Sequence, residues 1–107
     1  VTPRHLLVLA AVFAFSACTW VEPDAGGKTI RVAYDEAATR ACVDLRRSVT
    51  VSVKHEIAGI ERNRLKVQDE LESLARNEAA SMAEADTVRA TSAVRDGEQS
   101  YAVYDCR

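Results

Sequence analysis

The residues in this 107-residue chain best equipped for chemistry are three cysteines, Cys18, Cys42 and Cys106. A cysteine sulfur can be acylated, can bind a metal as thiolate, or can pair with a second sulfur. No two of them stand in a CxxC spacing. Among other candidates, His55 lies near Glu56 and Glu61, but a general base needs a nucleophile or carboxylate within hydrogen-bond reach. Ser48, Ser52 and Ser92 sit in no nucleophile-elbow pattern, and no glycine-rich phosphate loop occurs. A histidine closing a strand is ordinarily a surface or capping residue, so no catalysis is expected.

The setting of Cys18 separates it from the other two. Arg4 precedes a run of apolar residues from Leu6 to Phe15, and Ser16-Ala17 then leads to the cysteine. A basic start, a short apolar stretch and small residues at a processing point describe a secretory signal peptide. About ten apolar residues are too few for a bilayer span, which needs roughly 20. Phe15-Ser16-Ala17-Cys18 resembles the lipobox of bacterial lipoproteins, with phenylalanine where leucine is usual. The resemblance implies cleavage before Cys18 and acylation of its sulfur. An ordinary cleaved signal with a free Cys18 is the alternative. Val1 at the head of this segment is expected to reflect a non-ATG start codon.

Processing there leaves 90 of the 107 residues and lowers Lys+Arg from 14 to 13 against 16 Asp+Glu, a formal charge of −3. Nucleic-acid binders show a clustered basic face, so no nucleic-acid partner is expected. With Cys18 lipidated, Cys42 and Cys106 are two thiols in an oxidising compartment, and a disulfide between them is the simplest outcome. The competing reading is a redox or metal site built from Cys42, Cys106 and His55. The mature aromatics are Trp20, Tyr34, Tyr101 and Tyr104. A core made mainly of aliphatics in so short a chain gains much from a covalent brace.

Thr19–Gly27, with its proline and Gly-Gly pair, reads as a flexible tether following Cys18. Trp20 could rest at the level of lipid headgroups. From Lys28 onward Ile30, Val32 and Tyr34 alternate as one face of a strand. Residues 35–41 form a connection or short helical turn, and Arg47–His55 is a second strand with Val49, Val51 and Val53 inward. Glu56–Arg64 reads as a loop whose Ile57 and Ile60 could fold back onto the core. Val67, Leu71, Leu74, Ala75, Ala79 and Met82 recur at helical spacing, with Lys66, Asp69, Glu70, Glu72 and Arg76 opposite and a Glu72–Arg76 pair along that side. Asp86–Val94 is a third strand, Asp96-Gly97 a turn, and Tyr101–Cys106 a fourth strand. The order β-β-α-β-β predicts a two-layer α+β domain over residues 28–107, a sheet of about four strands packed by one amphipathic helix. The helix would form a crossover if the second and third strands were parallel neighbours.

Residues 76–80 (RNEAA), 85–88 (ADTV), 96–99 (DGEQ) and the closing 101–106 (YAVYDC), with 32–35 (VAYD) and Ala41-Cys42, resemble a family of small bacterial lipoproteins of unknown function. The layout is also similar to the periplasmic domain of the Rcs envelope-stress sensor lipoproteins, although this chain has two domain cysteines where those have four. Family members often carry a glycine where residues 82–85 (MAEA) stand here. The resemblance implies a small α+β fold, a Cys42–Cys106 disulfide and no catalytic residue. Thr19 in place of aspartate after Cys18 is similar to outer-membrane sorting signals. The expectation is therefore a lipoprotein anchored in the outer membrane and facing the periplasm. It would serve as an interaction or envelope-sensing module with an envelope protein partner, and no cofactor, metal or small-molecule substrate is identified. Arg46-Arg47 and the 62–66 cluster (RNRLK) could meet anionic headgroups or a partner's acidic patch. A small ligand carrier or envelope enzyme, with a concave polar pocket near His55, is the other expectation.

Overall fold

The computed structural model describes residues 22–57 and 59–107. Cys18, the lipobox and Trp20 lie outside the described residues. Strands β1 (Arg31–Ala33), β2 (Val43–Ser52), β5 (Thr87–Ala90) and β6 (Glu98–Asp105) form a sheet in the order β1-β5-β6-β2. A small hairpin, β3 (Glu56–Ile57) with β4 (Ile60–Glu61), precedes the helix α1 (Arg64–Ala80). This is the expected α+β architecture, one helix on a four-stranded sheet with one disulfide.

β1 runs parallel to β5, and β6 is antiparallel to both β5 and β2. β2 and β5 therefore share a direction but are not neighbours, because β6 lies between them. The crossover through α1 skips a strand, and the parallel neighbour of β5 is β1.

The alternation of the strands decides the core. Val88 pairs with Val103, and Tyr101 pairs with both Ala90 and Val49. These residues and Val51 occupy the face toward α1 and meet Val67, Leu71, Ala75 and Ala79. Tyr101, Leu71, Val88 and Val103 are fully buried, each contributing on the order of 1.5–3 kcal/mol for the side chain removed from water. The opposite face is not wholly solvated. Thr87 and Tyr104 pair there and are both buried. The link from β1 to β2 has to travel from one edge of the sheet to the other, and Thr39 on it is buried as well. Arg89 donates from Nη2 to the Tyr104 hydroxyl at 2.8 Å.

Several boundaries differ from the sequence pattern. The first strand shrinks to residues 31–33 because Lys28 and Thr29 close a 3₁₀ turn, and Tyr34 lies past the strand with its ring exposed. Residues 22–29, read as linker up to Gly27, are folded onto α1. The Asp24 amide donates to Asn77 Oδ1 at 2.8 Å, and Asn77 Nδ2 donates to the Glu22 carbonyl at 3.2 Å. Gly27 passes so close to Asn77 that a Cβ would collide with its side-chain oxygen. Arg76 fastens the same segment, donating to the carbonyls of Gly27 at 3.0 Å, Ile30 at 2.8 Å and Lys28 at 3.3 Å. Turned to these carbonyls, it makes no ion pair with Glu72, contrary to the helical spacing.

β2 begins at Val43, four residues earlier than alternation suggests, and carries a bulge between Asp44 and Ser48. Arg46 there has φ 55°, and its amide is satisfied by Asp44 Oδ1 at 2.8 Å. The third strand is only Thr87–Ala90, whereas β6 starts three residues earlier than expected, at Glu98. Asp96 (φ 50°) and Gly97 (φ 73°) make a two-residue turn between the bridged Arg95 and Glu98, as the Asp-Gly signal predicts. Asn63 caps α1 by accepting from the amides of Leu65 and Lys66. Met82 lies beyond the helix end, half-buried against the core.

Candidate functional site

Cys42 and Cys106 form a disulfide with their Cα atoms 4.3 Å apart. The geometry follows from register, since Val43 pairs with Asp105 and the cysteines are the next cross-strand pair outward. His55 lies beyond the opposite end of β2, so the structure does not assemble the Cys42, Cys106 and His55 site. No cluster of three or more potential metal ligands occurs among the described residues.

His55 does line a cavity of about 370 Å³, with Arg62, Arg64, Gln68 and Asp96 among its walls. Its most constrained group is Arg62, which donates from Nη1 to the Lys54 carbonyl at 2.8 Å and lies 2.7 Å from Glu70 Oε2 in an ion pair. Glu70 is buried, although its charge had suggested the solvated side of the helix. Its position three residues past Val67 and one before Leu71 places it on the apolar stripe, a signal available in the sequence. Together these groups clasp the base of the β3–β4 hairpin to α1. The cationic and acidic walls of the cavity are thus partly committed to holding the fold.

Above that clasp the hairpin is not packed. Ile57 and Ile60 are cross-strand partners, 60% and 72% exposed, and do not fold back onto the core. Leu65 in the first turn of α1 is 80% exposed. Three large aliphatic side chains within nine residues thus face solvent.

A second concavity lies between α1 and the β1–β5 edge. It measures about 230 Å³ and is lined by Val32, Tyr34, Gln68, Glu72, Ala90 and Tyr101, with Ala33 and Gln99 completing it. A chain of side-chain hydrogen bonds crosses it. Tyr101 Oη donates to Gln99 Oε1 at 2.6 Å, and Gln68 Nε2 donates to the same oxygen at 3.0 Å and to Glu72 Oε1 at 3.5 Å. Tyr34 Oη donates to Glu72 Oε2 at 3.2 Å. Gln99 Nε2 closes the chain on the Ser92 carbonyl at 3.0 Å. Burial, reinforced by the charge of Asp69, holds the Glu72 carboxyl above the usual carboxylate range. Burial likewise pushes the Tyr101 phenol up, and that of Tyr34, with Glu72 adding to both. No residue of this network was singled out from sequence as a site. Glu72 lay hidden in the charged face of the helix.

Among the described residues no helix is long and apolar enough to cross a membrane. The fold and these surfaces define the class: a small, disulfide-braced α+β domain with an exposed apolar end and a polar cleft. Residues 21–106 match the family model described as a domain of unknown function (DUF4156), and the chain belongs to that family. No curated protein and no solved structure matches the chain.

Proposed function

We propose that this chain is a lipid-anchored module of the cell envelope, held to the outer membrane through Cys18, and that it docks a protein partner with its hairpin end. The observation that carries the docking is the exposed Ile57–Ile60 pair, held on a base that Arg62 fixes to both Lys54 and Glu70. Folding leaves these side chains in water at a forgone gain of about 1.5–3 kcal/mol each.

The geometry favours a protein over the bilayer as the occupant. The chain enters the described fold at Glu22, beside Asn77, thirteen residues along α1 from its first residue. At about 1.5 Å per residue, that places the hairpin end roughly 20 Å along the helix from the point of entry. An acyl group on Cys18, four residues before Glu22, reaches at most about 14 Å from it. A fully extended tether therefore cannot bring the acylated sulfur to the hairpin end, which lies apart from the proposed point of attachment.

Two measurements test the reading. Mass spectrometry of the chain extracted from envelopes is expected to show acylation at Cys18, and an unmodified sulfur would overturn the anchor. A photo-crosslinking residue at position 57 or 60 is expected to yield one discrete protein adduct in intact envelopes, absent from position 50 on the opposite sheet face. The adduct at 57 is expected to disappear with Ile60→Asp, a surface change that shifts stability by no more than about 0.5 kcal/mol. Equal labelling from 50, 57 and 60 would overturn the docking surface.

A further inference from the structure

We propose that the cleft between α1 and the β1–β5 edge binds a small organic cation, with a primary ammonium group on the Glu72 carboxylate and its alkyl portion against Val32 and Ala90. The carboxylate forms part of the cleft wall and is half-buried. An ionised carboxylate has about four acceptor positions. Here Tyr34 fills one at 3.2 Å and Gln68 approaches another at 3.5 Å. Among the described residues no cationic side chain pairs with the remaining acceptor capacity, since Arg76, one turn away, is committed to the carbonyls of Gly27, Lys28 and Ile30.

The rest of the cleft suits the same ligand. Val32 and Ala90 give it an apolar floor. Tyr34, 78% exposed at the rim, offers an aromatic face that attracts cations. Gln68 and Tyr101 are oriented by their shared bonds to Gln99, so the polar wall is formed before a ligand arrives. An anionic ligand would meet Glu72 directly, within the field of Asp69, and be repelled. A volume of about 230 Å³ admits a short alkylamine. The Glu72 carboxyl resists ionisation mainly through desolvation, and an ammonium ion beside it would relieve that resistance.

The test uses the full chain, titrated with n-butylammonium chloride and, separately, with 1-butanol, its neutral counterpart, at constant ionic strength. Saturable shifts are expected in the backbone amide resonances of Tyr34, Gln68, Glu72 and Ala90 with butylammonium. Butanol is expected to produce none that saturate. Glu72→Gln keeps the shape and the acceptor for Tyr34, and is expected to weaken butylammonium binding at least tenfold. Binding is also expected to fall as pH drops through the raised range of Glu72. Desolvation sets this range, modified by Tyr34 beyond β1 and by Asp69, Gln68 and Arg76 on α1, while Tyr101 on β6 also faces the cleft. Equal response to the amine and the alcohol, unchanged affinity in Glu72→Gln, or shifts confined to residues outside the cleft would each overturn the proposal. These outcomes are independent of crosslinking at Ile57 and Ile60.

Discussion

Removing the Cys42–Cys106 bond is the perturbation whose magnitude follows most directly from the chain. The two cysteines are 64 residues apart, so the bond closes a loop containing β2, the hairpin, α1, β5 and β6. For a loop of that length the chain-entropy relation gives a stabilisation of about 4 kcal/mol through restriction of the unfolded state. The native contacts that depend on the bond are few. Beyond the bulge, only the pairs Val43–Asp105 and Asp44–Tyr104 lie on its side, whereas the five pairs from Ser48–Ala102 to Ser52–Glu98 lie on the other. The reduced protein should therefore keep its fold while losing most of that stabilisation. With a guanidinium slope of about 2 kcal/mol per M for a domain of this size, the midpoint should fall by about 2 M. The assay is equilibrium unfolding of oxidised chain, reduced chain and the Cys42→Ser, Cys106→Ser double variant, with the last two agreeing. A midpoint change below about 0.5 M in both would refute the loop argument, because it would limit the loss to about 1 kcal/mol.

Three further outcomes follow from single residues. Glu84 adopts φ 68°, a left-handed conformation that costs an L side chain about 1 kcal/mol, so Glu84→Gly should raise stability by roughly 0.5–1 kcal/mol in denaturant unfolding. Arg62→Ala removes the partner of the buried Glu70 carboxylate and should lower the denaturant midpoint, whereas the Arg62→Met, Glu70→Met double variant should recover most of the loss; equal losses in both would count against the clasp. Because the folded-state pKa of Glu72 is raised, its contribution to stability is fully present below the ordinary carboxylate value and is lost as pH rises through the folded value. Glu72→Gln should accordingly melt higher than the unmodified chain at pH 7 and at nearly the same temperature near pH 4, a difference that calorimetry at the two pH values measures.

Much of the fold was legible because local pattern and tertiary packing agree. Val67, Leu71, Ala75 and Ala79 recur at helical spacing and are all buried, and Val49 and Val51 alternate into the same core. The Asp96-Gly97 turn was readable because few residues other than glycine tolerate the conformation it requires. The failures have physical causes. Asp44, Arg46 and Arg47 have no apolar alternation, and they extend β2 only because β6 and the disulfide hold that end beside it. Lys28 and Thr29 leave the strand pattern because Asp24 and Gly26 accept from the backbone of their turn, while Arg76 takes three nearby carbonyls. The hairpin had a signal in Gly59, whose φ of 79° closes it, but two-residue strands are too short for periodicity to register. Site residues were harder still. Glu72 differs from its exposed neighbour Asp69 through the cleft that tertiary packing builds around it, whose contacts include Tyr34, 38 residues away in sequence.

The features that folding does not explain are the ones most informative about use. Tyr101, Val88 and Leu71 are where the hydrophobic effect places them, and Arg76 and Asn77 satisfy backbone groups that would otherwise lack partners. Ile57, Ile60 and Leu65 run against that logic by remaining in water, and Glu72 runs against it by placing an ionisable group in a cleft that raises its pKa. Gln68 borders both the Glu72 cleft and the His55 cavity, so the two concavities meet on one face of α1.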